Sequence, residues 1–271
     1  MKYKLLVSDV DGTLINKHGT VSEADKDALA RARASGIIVS LCTGRAPQGC
    51  AGLLRQLALD GYHTFHDGAQ VINPDTEHQI YIQPFNYSTI RQAVEWAHRY
   101  DMEIELYSTT QFFAEKENWS TRVHRDFFNI PPVMTDYDAL RQNETIIKMQ
   151  TVRTNPEEAE KINAFCREFA DRCHFSWVKS PAFPDADFIN ILSPQVSKGK
   201  AITELAAYLS IRKEEIIAIG DGKNDVSLLP AAGLAIAMES APDVLKNIAH
   251  YITAGVDESG VAKALNKFLS I

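Results

Sequence analysis

The chain is poor in the features that mark several large classes of protein. It has four cysteines among 271 residues, and no two of them have the CxxC spacing of zinc or redox sites. We expect reduced thiols and a cytoplasmic protein, because disulfides are rare in that compartment. No apolar run approaches the roughly 20 residues that a bilayer-spanning helix needs. A membrane partner is therefore not expected.

Positive charge is also scarce. The formal net charge is −7 at pH 7, and the chain has no run of lysine and arginine. A nucleic-acid partner is therefore not expected, because it would require a basic face. Hydrophobic residues make up 45% and charged residues 23% of the chain, which is ordinary for a globular protein. The length allows one large domain or two modest ones.

What is present is a pair of acids at the end of an apolar run. Residues 5–7 have strand composition, and Asp9 and Asp11 follow them ahead of a turn at Gly12. Alternation along a strand places both acids on the same side. Like charges repel, so this pair indicates a divalent cation or a division of roles between nucleophile and general acid. A solvated Asp-Gly turn is the plain alternative, and this segment alone leaves both open.

Three further motifs occupy equivalent positions. A strand pattern at 37–41 precedes Thr43, Lys198 begins a helical pattern, and a strand at 216–219 opens into a glycine-rich acidic loop. Carboxyl ends of parallel strands and helix N-termini converge on one crevice. Carboxylates there suit Mg²⁺, whereas a lysine, a hydroxyl, an amide and backbone N–H groups suit a phosphate. The carboxylates are Asp9, Asp11, Asp221 and Asp225, and the phosphate ligands are Thr43, Lys198 and Asn224.

The spacing of the motifs locates an inserted domain. Asp11 and Thr43 are 32 residues apart, which one helix at 22–35 and one strand fill, whereas Thr43 and Lys198 are 155 apart. We predict a parallel α/β core formed by residues 1–82 and 189–271, with an inserted α/β domain at 83–188. The predicted helices of the insert are 88–100, 118–128 and 156–172. Its predicted antiparallel strands are 103–107, 112–115, 146–152, 174–178 and 188–192.

The ordered motifs DVDGTL, TGR, KG and GDGKND resemble those of the haloacid dehalogenase-like phosphohydrolases, specifically the Cof-type branch. The resemblance covers the whole chain. It implies a Rossmann-like, doubly wound parallel core with an inserted cap of the C2B type. It also implies that Asp9 is the nucleophile and Asp11 the general acid and base. Mg²⁺ would be held by Asp9, Asp11 (through its backbone carbonyl), Asp221 and Asp225, and phosphate by Val10, Thr43, Gly44, Lys198 and Asn224.

Contacts to the leaving group are expected from five further residues, namely Arg45, Glu105, Tyr107, Phe183 and Asp185. Core packing is the more frequent explanation of such aromatic residues. The segment 180–185 is interpreted as a rigid specificity loop. Asp67 and Ser240 stand where the family frequently has asparagine, and these departures bear on the substrate rather than on the type of reaction.

The leading functional hypothesis is a Mg²⁺-dependent phosphatase for a small phosphorylated metabolite, such as a sugar or polyol phosphate. A hexose-phosphate mutase or another phosphotransferase of the same superfamily is the first alternative. A sensor that binds a phosphorylated metabolite without catalysis is the second, although every motif residue is intact. Monomer and homodimer both remain open.

Overall fold

The structure is a computed structural model that describes residues 2–127, 129–140, 144–180 and 182–269. The first part of the chain contains β1 (Leu5–Ser8), α1 (Glu23–Ala34), β2 (Ile38–Leu41), α2 (Pro47–Gln56), β3 (His63–Phe65), β4 (Gln70–Asn73) and β5 (His78–Ile82). The prediction for α1 is confirmed, because Ser22 caps it by accepting a hydrogen bond from the Asp25 N–H at 3.1 Å. The helix α2 begins at a proline, which the first turn of a helix tolerates.

The middle of the chain forms the inserted unit. Its elements are α3 (Tyr87–Arg99), β6 (Glu105–Ser108), β7 (Phe112–Ala114), α4 (Trp119–Asp126), β8 (Val133–Met134), β9 (Ile146–Arg153), α5 (Pro156–Glu168), β10 (His174–Ser180) and β11 (Phe183–Leu192). The chain then returns to the core with α6 (Lys198–Tyr208), β12 (Ile216–Gly220), β13 (Leu234–Ala237), α7 (Asp243–Lys246), β14 (Tyr251–Ile252) and α8 (Gly260–Phe268). Short 3₁₀ turns lie at His66–Gly68, Tyr137–Ala139, Lys213–Glu215, Lys223–Val226, Leu229–Ala231 and Val256–Glu258.

The core sheet has five parallel strands in the order β14-β13-β12-β1-β2. Leu6 packs in a cluster with residues of α1, α2 and α8 on one face. Leu5 and Val7 pack with residues of α6 on the other face. Burial on both faces explains why these strands are almost continuously hydrophobic. The predicted doubly wound α/β core is confirmed.

A second small sheet was not predicted. Strands β3, β4 and β5 form an antiparallel meander. A single parallel bridge between Cys42 and Thr64 joins this meander to the end of β2. The turn between β4 and β5 is marked by Asn73, whose side chain accepts from the Asp75 N–H at 3.0 Å. The meander leads the chain from the core into the insert.

The insert is built on a six-stranded sheet in the order β10-β11-β9-β6-β7-β8. Its pairs are antiparallel except for β7 and β8, which run parallel, so the prediction of a purely antiparallel sheet is corrected. Helices α3 and α5 cover one face of this sheet with an apolar cluster. The opposite face carries polar residues and points toward the core, so we call the insert the cap.

Two details of the predicted boundaries change. The predicted cap end at residue 188 lies inside β11, which pairs with β9 as far as Leu192, so we propose that the cap ends after Leu192. The segment 180–185 is the tip of the β10–β11 hairpin rather than a loop, although Pro181 lies outside the described residues. Phe128, the predicted end of α4, also lies outside them.

Within the described ranges, no helix has the length and apolar composition that crossing a bilayer requires.

Candidate active site

The carboxyl ends of the core strands meet the polar face of the cap. Asp9 and Asp11 follow β1, Thr43 follows β2, and Asp221 follows β12, as the sequence predicts for a parallel sheet. A cavity of about 300 Å³ lies between them and the cap. Its core side includes Asp9, Asp11, Thr43, Gly44, Arg45, Asp221 and Asn224, and its cap side includes Tyr107, His124, Lys148, Gln150, Phe188 and Asn190.

Lys198 is completely buried between two carboxylates. Its Nζ donates to Asp9 Oδ1 at 2.5 Å and to Asp225 Oδ1 at 2.7 Å. Burial by itself lowers the pKa of Lys198, but the charges of Asp225 and Asp9 outweigh it and hold the pKa above its ordinary value. The lysine is therefore a permanent cation next to Asp9.

Both carboxylate oxygens of Asp225 accept hydrogen bonds from neighbouring groups. Its Oδ1 accepts from Lys198, and its Oδ2 accepts from the N–H groups of Asp221 at 3.0 Å and Gly222 at 2.9 Å. This carboxylate therefore shapes the acidic loop and orients Lys198. By contrast, Asp9 and Asp221 each accept through Oδ1, from Lys198 and Thr13 respectively, and retain Oδ2 as a ligand atom.

These acids form a triad that suits a divalent cation. One oxygen from each of Asp9, Asp221 and Asp225 lies within 4.8 Å of the others, and hard divalent cations prefer such oxygen ligands. Burial and the charge of Asp225 raise the pKa of Asp221 to about 6. Burial likewise raises the pKa of Asp9, although Lys198 opposes it. A Cβ at Gly12 would lie 2.3 Å from Asp221 Oδ2, so this cradle requires glycine.

Asp11 stands outside this triad because Arg45 holds it. The guanidinium donates from Nε to Asp11 Oδ2 at 2.8 Å and from Nη2 to Asp11 Oδ1 at 2.6 Å. Such a bidentate pair is strong and directional. The two residues predicted as general acid and as leaving-group contact are thus partners in this structure. Both line the cavity.

The predicted phosphate ligands differ in whether the described part of the protein already provides them with hydrogen-bond partners. Among the described residues, the N–H groups of Val10 and Gly44 meet no hydrogen-bond acceptor, and so can receive a phosphate. Thr43 is buried, and its Oγ1 accepts from the Arg45 N–H at 3.2 Å. The Asn224 amide instead donates to Asp67 Oδ1 at 2.8 Å.

Comparison with known proteins identifies the family. A model of haloacid dehalogenase-like hydrolases matches residues 6–265. The chain belongs to this family. It is 29% identical to the protein YxeH of Bacillus subtilis (strain 168) over 98% of each chain. It is 27% identical, again over 98% of each, to 5-amino-6-(5-phospho-D-ribitylamino)uracil phosphatase YwtE of the same organism. A crystal structure of a haloacid dehalogenase-like hydrolase from Bacteroides thetaiotaomicron matches 99% of this chain and 100% of its own, with TM-score 0.85 and 26% identity.

These matches confirm the family, the α/β fold with an inserted cap, and the class of enzyme predicted from the motifs, a phosphatase acting on small phosphorylated substrates. The structure brings the four motifs of this chain together at the carboxyl ends of the core strands.

On the cap side, only part of the predicted set lies in the cavity wall. Tyr107 lines it, stacked on Phe112 with ring centroids 4.8 Å apart. Glu105 is buried beside Tyr107 and accepts from its hydroxyl at 3.1 Å, but it is not part of the wall. Phe183 and Asp185 also lie outside the wall, because the hairpin carries them to the rim, where Phe183 packs against Trp119 and Phe127.

The cap wall also contains residues that the sequence analysis missed, among them His124, Lys148, Gln150 and Asn190. A sequence signal existed for two of them. Polar and apolar residues alternate in β9, where Lys148 and Gln150 stand between buried residues of the opposite face. Such alternation indicates a strand with one polar face, and a buried polar face in a cap is a place to look for substrate contacts.

Proposed function

We propose that this phosphatase hydrolyses a sugar or polyol phosphate with the help of Mg²⁺ and through an aspartyl-phosphate intermediate. One observation carries the proposal: Asp9 is buried against Lys198 at the closed end of a cavity whose other wall is the polar face of the cap. A carboxylate in this position can attack phosphorus while the neighbouring cation offsets the charge of the incoming phosphate.

The proposed reaction has two displacements. In the first, an Asp9 oxygen attacks phosphorus, the bond from phosphorus to the leaving-group oxygen breaks, and Asp11 donates a proton to that oxygen. In the second, water attacks the phosphorus of the aspartyl-phosphate, Asp11 accepts a proton from it, and phosphate leaves Asp9. Asp11 must release one of its two contacts with Arg45 to reach the reacting oxygen.

The acid triad supports the choice of metal. Asp9 and Asp221 would hold Mg²⁺, with Asp225 behind them, because an all-oxygen ligand set of carboxylates is what this ion takes. Mg²⁺ neutralises the anions that must approach each other in phosphoryl transfer. The N–H groups of Val10 and Gly44, together with Thr43 and Lys198, would bind the oxygens of the transferring group.

The cap side supports a small hydroxyl-rich leaving group. The cavity of about 300 Å³ is limited in size, and hydroxyl, amide and ammonium groups of Tyr107, Gln150, Asn190 and Lys148 line it. The relative YwtE is named for a substrate with a phosphorylated ribityl chain, which is a polyol phosphate. The four cysteines are all unpaired, and this supports the cytoplasm as the compartment.

The test combines a substrate panel with an Asp9→Asn variant. Phosphate release is measured from p-nitrophenyl phosphate, sorbitol 6-phosphate and glucose 6-phosphate, with Mg²⁺ and with EDTA. We expect turnover only with Mg²⁺ and a loss of about 10⁴-fold or more in Asp9→Asn, the scale of removing a nucleophile. Asp27→Asn, an exposed change on α1, serves as the matched control.

Trapping experiments separate the covalent route from other routes. Beryllium fluoride should bind the wild-type protein as a mimic of the phosphorylated aspartate and should not bind Asp9→Asn. Retained activity in Asp9→Asn would rule out the covalent mechanism, and undiminished rates in EDTA would rule out the metal. Acceleration by an added sugar bisphosphate would favour the phosphotransferase alternative.

A further inference from the structure

Lys148 is a buried lysine in the cap wall of the cavity. Its side chain starts in the middle of β9, the residue is 3% exposed, and it lines the catalytic cavity. Among the described residues, Nζ has one hydrogen-bond acceptor, Gln150 Oε1 at 3.0 Å, and lies 4.0 Å from the centre of the Tyr107 ring. No carboxylate in the described part of the chain forms an ion pair with it.

A frame of hydrogen bonds holds this lysine in place. The Gln150 amide donates to Glu105 Oε2 at 3.3 Å, which turns its Oε1 toward Lys148. The Tyr107 hydroxyl donates to the same Glu105 oxygen at 3.1 Å. Register supports the frame, because Glu105 pairs with Gln150 and Tyr107 with Lys148 across β6 and β9. The negative charge of Glu105 therefore orients the frame instead of neutralising the lysine directly.

Burying an ammonium group is costly unless it is paired. Burial lowers the pKa of Lys148 to about 8, although the charges of Asp67 and Glu105 oppose this, so the group is still mainly protonated at neutral pH. An ammonium group has three N–H donors, and one amide oxygen with one aromatic face does not satisfy them. An anion in the cavity would supply the charge and the hydrogen-bond acceptors that these two neighbours do not.

Two other cations near Asp9 are already paired. Lys198 contacts Asp9 and Asp225, and Arg45 contacts Asp11 through two hydrogen bonds. These groups, with a metal, serve the transferring phosphate in the proposed function. Lys148 belongs to the opposite wall, where the leaving group would lie in the proposed reaction. A neutral hydroxyl there would accept one hydrogen bond but leave the charge uncompensated.

We propose that Lys148 binds a second anionic group, a carboxylate or a phosphate, on the leaving group of the substrate. This rests on the proposed function and narrows it from sugar phosphates in general to phosphorylated sugar acids and sugar bisphosphates. Lys148 is then the residue that determines specificity, and Gln150 and Glu105 position it.

Two matched substrate pairs test the charge preference. Glucose 6-phosphate is compared with 6-phosphogluconate, which adds a carboxylate, and fructose 6-phosphate with fructose 1,6-bisphosphate, which adds a phosphate. The values of kcat/KM are measured for the wild type and for Lys148→Met, which keeps the length of the side chain and removes the charge. Lys161→Met is the matched control, because Lys161 is a cap lysine on α5 and lies outside the cavity wall.

We expect the wild type and Lys161→Met to prefer the anionic member of at least one pair. In Lys148→Met, kcat/KM for that member should fall by about 30-fold or more, chiefly through a higher KM. The value for the partner without the second anion should fall much less. The difference between the two pairs identifies a carboxylate or a phosphate as the anion. The proposal is overturned if the wild type prefers, in both pairs, the substrate without the second anion. It is also overturned if kcat/KM falls equally for both members of a pair in Lys148→Met.

Two controls keep the outcomes separate. Thermal unfolding establishes that Lys148→Met is folded. If Lys148→Met is not folded, Lys148→Gln replaces it. The wild type alone still decides against the proposal if it prefers neither substrate that carries a second anion. Failure to release phosphate from any ester, including p-nitrophenyl phosphate, would refute the proposed function itself. Hydrolysis without a charge preference would refute only the role of Lys148.

Discussion

At the scale of single residues, the site has to compensate the buried charge of Lys198. A lysine at the start of a helix is disfavoured by the helix dipole, and Lys198 is completely buried as well. Asp9 and Asp225 offset both costs, because each contributes a full negative charge within hydrogen-bond distance. Lys198 in turn offsets the cost of burying the two carboxylates, because neither has another cationic partner among the described residues.

We therefore expect Lys198→Met to reduce both stability and activity. Removing one partner of a buried ionic group costs about 3–5 kcal/mol, and the rate should fall by about 100-fold or more. Urea unfolding and phosphate release measure the two effects. Lys200→Met is the matched control, because Lys200 is exposed two residues further along α6.

The stability loss of Lys198→Met should depend on pH. Burial and the charges of Asp225 and Asp221 raise the pKa of Asp9 in the folded state, and removing Lys198 takes away the charge that opposes them. A carboxyl group with a raised pKa in the folded state is most compatible with folding when protonated, so its penalty grows as pH rises. The deficit relative to the wild type should therefore shrink between about pH 7 and about pH 5. An equal deficit at both values would contradict this account.

At the scale of elements, the position of α6 depends on a turn that precedes the cap. The 3₁₀ turn at His66–Gly68 lies against the start of α6, and Gly68 has φ +102° there. A Cβ at Gly68 would stand 2.3 Å from the Ser197 carbonyl oxygen. In the same turn, Asp67 accepts from the Asn224 amide at 2.8 Å and from the Asn190 amide at 2.6 Å. One turn thus joins α6, the acidic loop and the cap strand β11.

A comparison of two glycines tests this contact. Gly19 also has a positive φ, +73°, but nothing lies within 4 Å of its Cβ position. Gly19→Ala should cost about 1 kcal/mol from backbone strain alone. Gly68→Ala should cost about 1–3 kcal/mol more, because the methyl group must displace backbone, and it should also lower kcat by shifting Lys198. Equal free energies of unfolding for the two variants would show that α6 can move away without loss.

At the scale of the whole molecule, the acid triad links metal binding to stability. Asp9 comes from the first part of the chain and Asp221 and Asp225 from the last, so only the folded protein brings them within 4.8 Å. A cation that binds this arrangement stabilises the folded state alone. Burial and the charge of Asp225 raise the pKa of Asp221 to about 6. Protons and metal therefore compete for the same carboxylate.

We expect Mg²⁺ to raise the Tm, and to do so more at about pH 7.5 than at about pH 5. At an Mg²⁺ concentration of about 100 times Kd, the gain in unfolding free energy is about 2.7 kcal/mol. Below the pKa of Asp221 a proton must leave before the metal binds, so the gain falls. Thermal scans with Mg²⁺ or EDTA measure it, and Asp221→Asn should abolish it. A gain independent of pH would show that Asp221 is not a ligand.

The sequence by itself determined the core and its catalytic edge. Continuous apolar strands predict a parallel sheet, and the rule that the carboxyl ends of such strands meet at one edge was enough to bring Asp9, Thr43 and Asp221 together with Lys198. Caps such as Ser22 were equally readable, because they depend on contacts within four residues. These features are local, or follow from a topology that strand composition already implies.

Only the tertiary structure decided what faces the substrate. The alternation in β9 reveals a polar face, but it does not reveal that Glu105, Gln150 and Asn190 lie side by side, since their pairing depends on register across distant parts of the chain. The pairing of Arg45 with Asp11, the turn that binds Asn190 and Asn224, and the packing of Phe183 against Trp119 and Phe127 have the same origin. Each is a contact between segments whose separation in sequence is large, and local propensity does not specify such contacts.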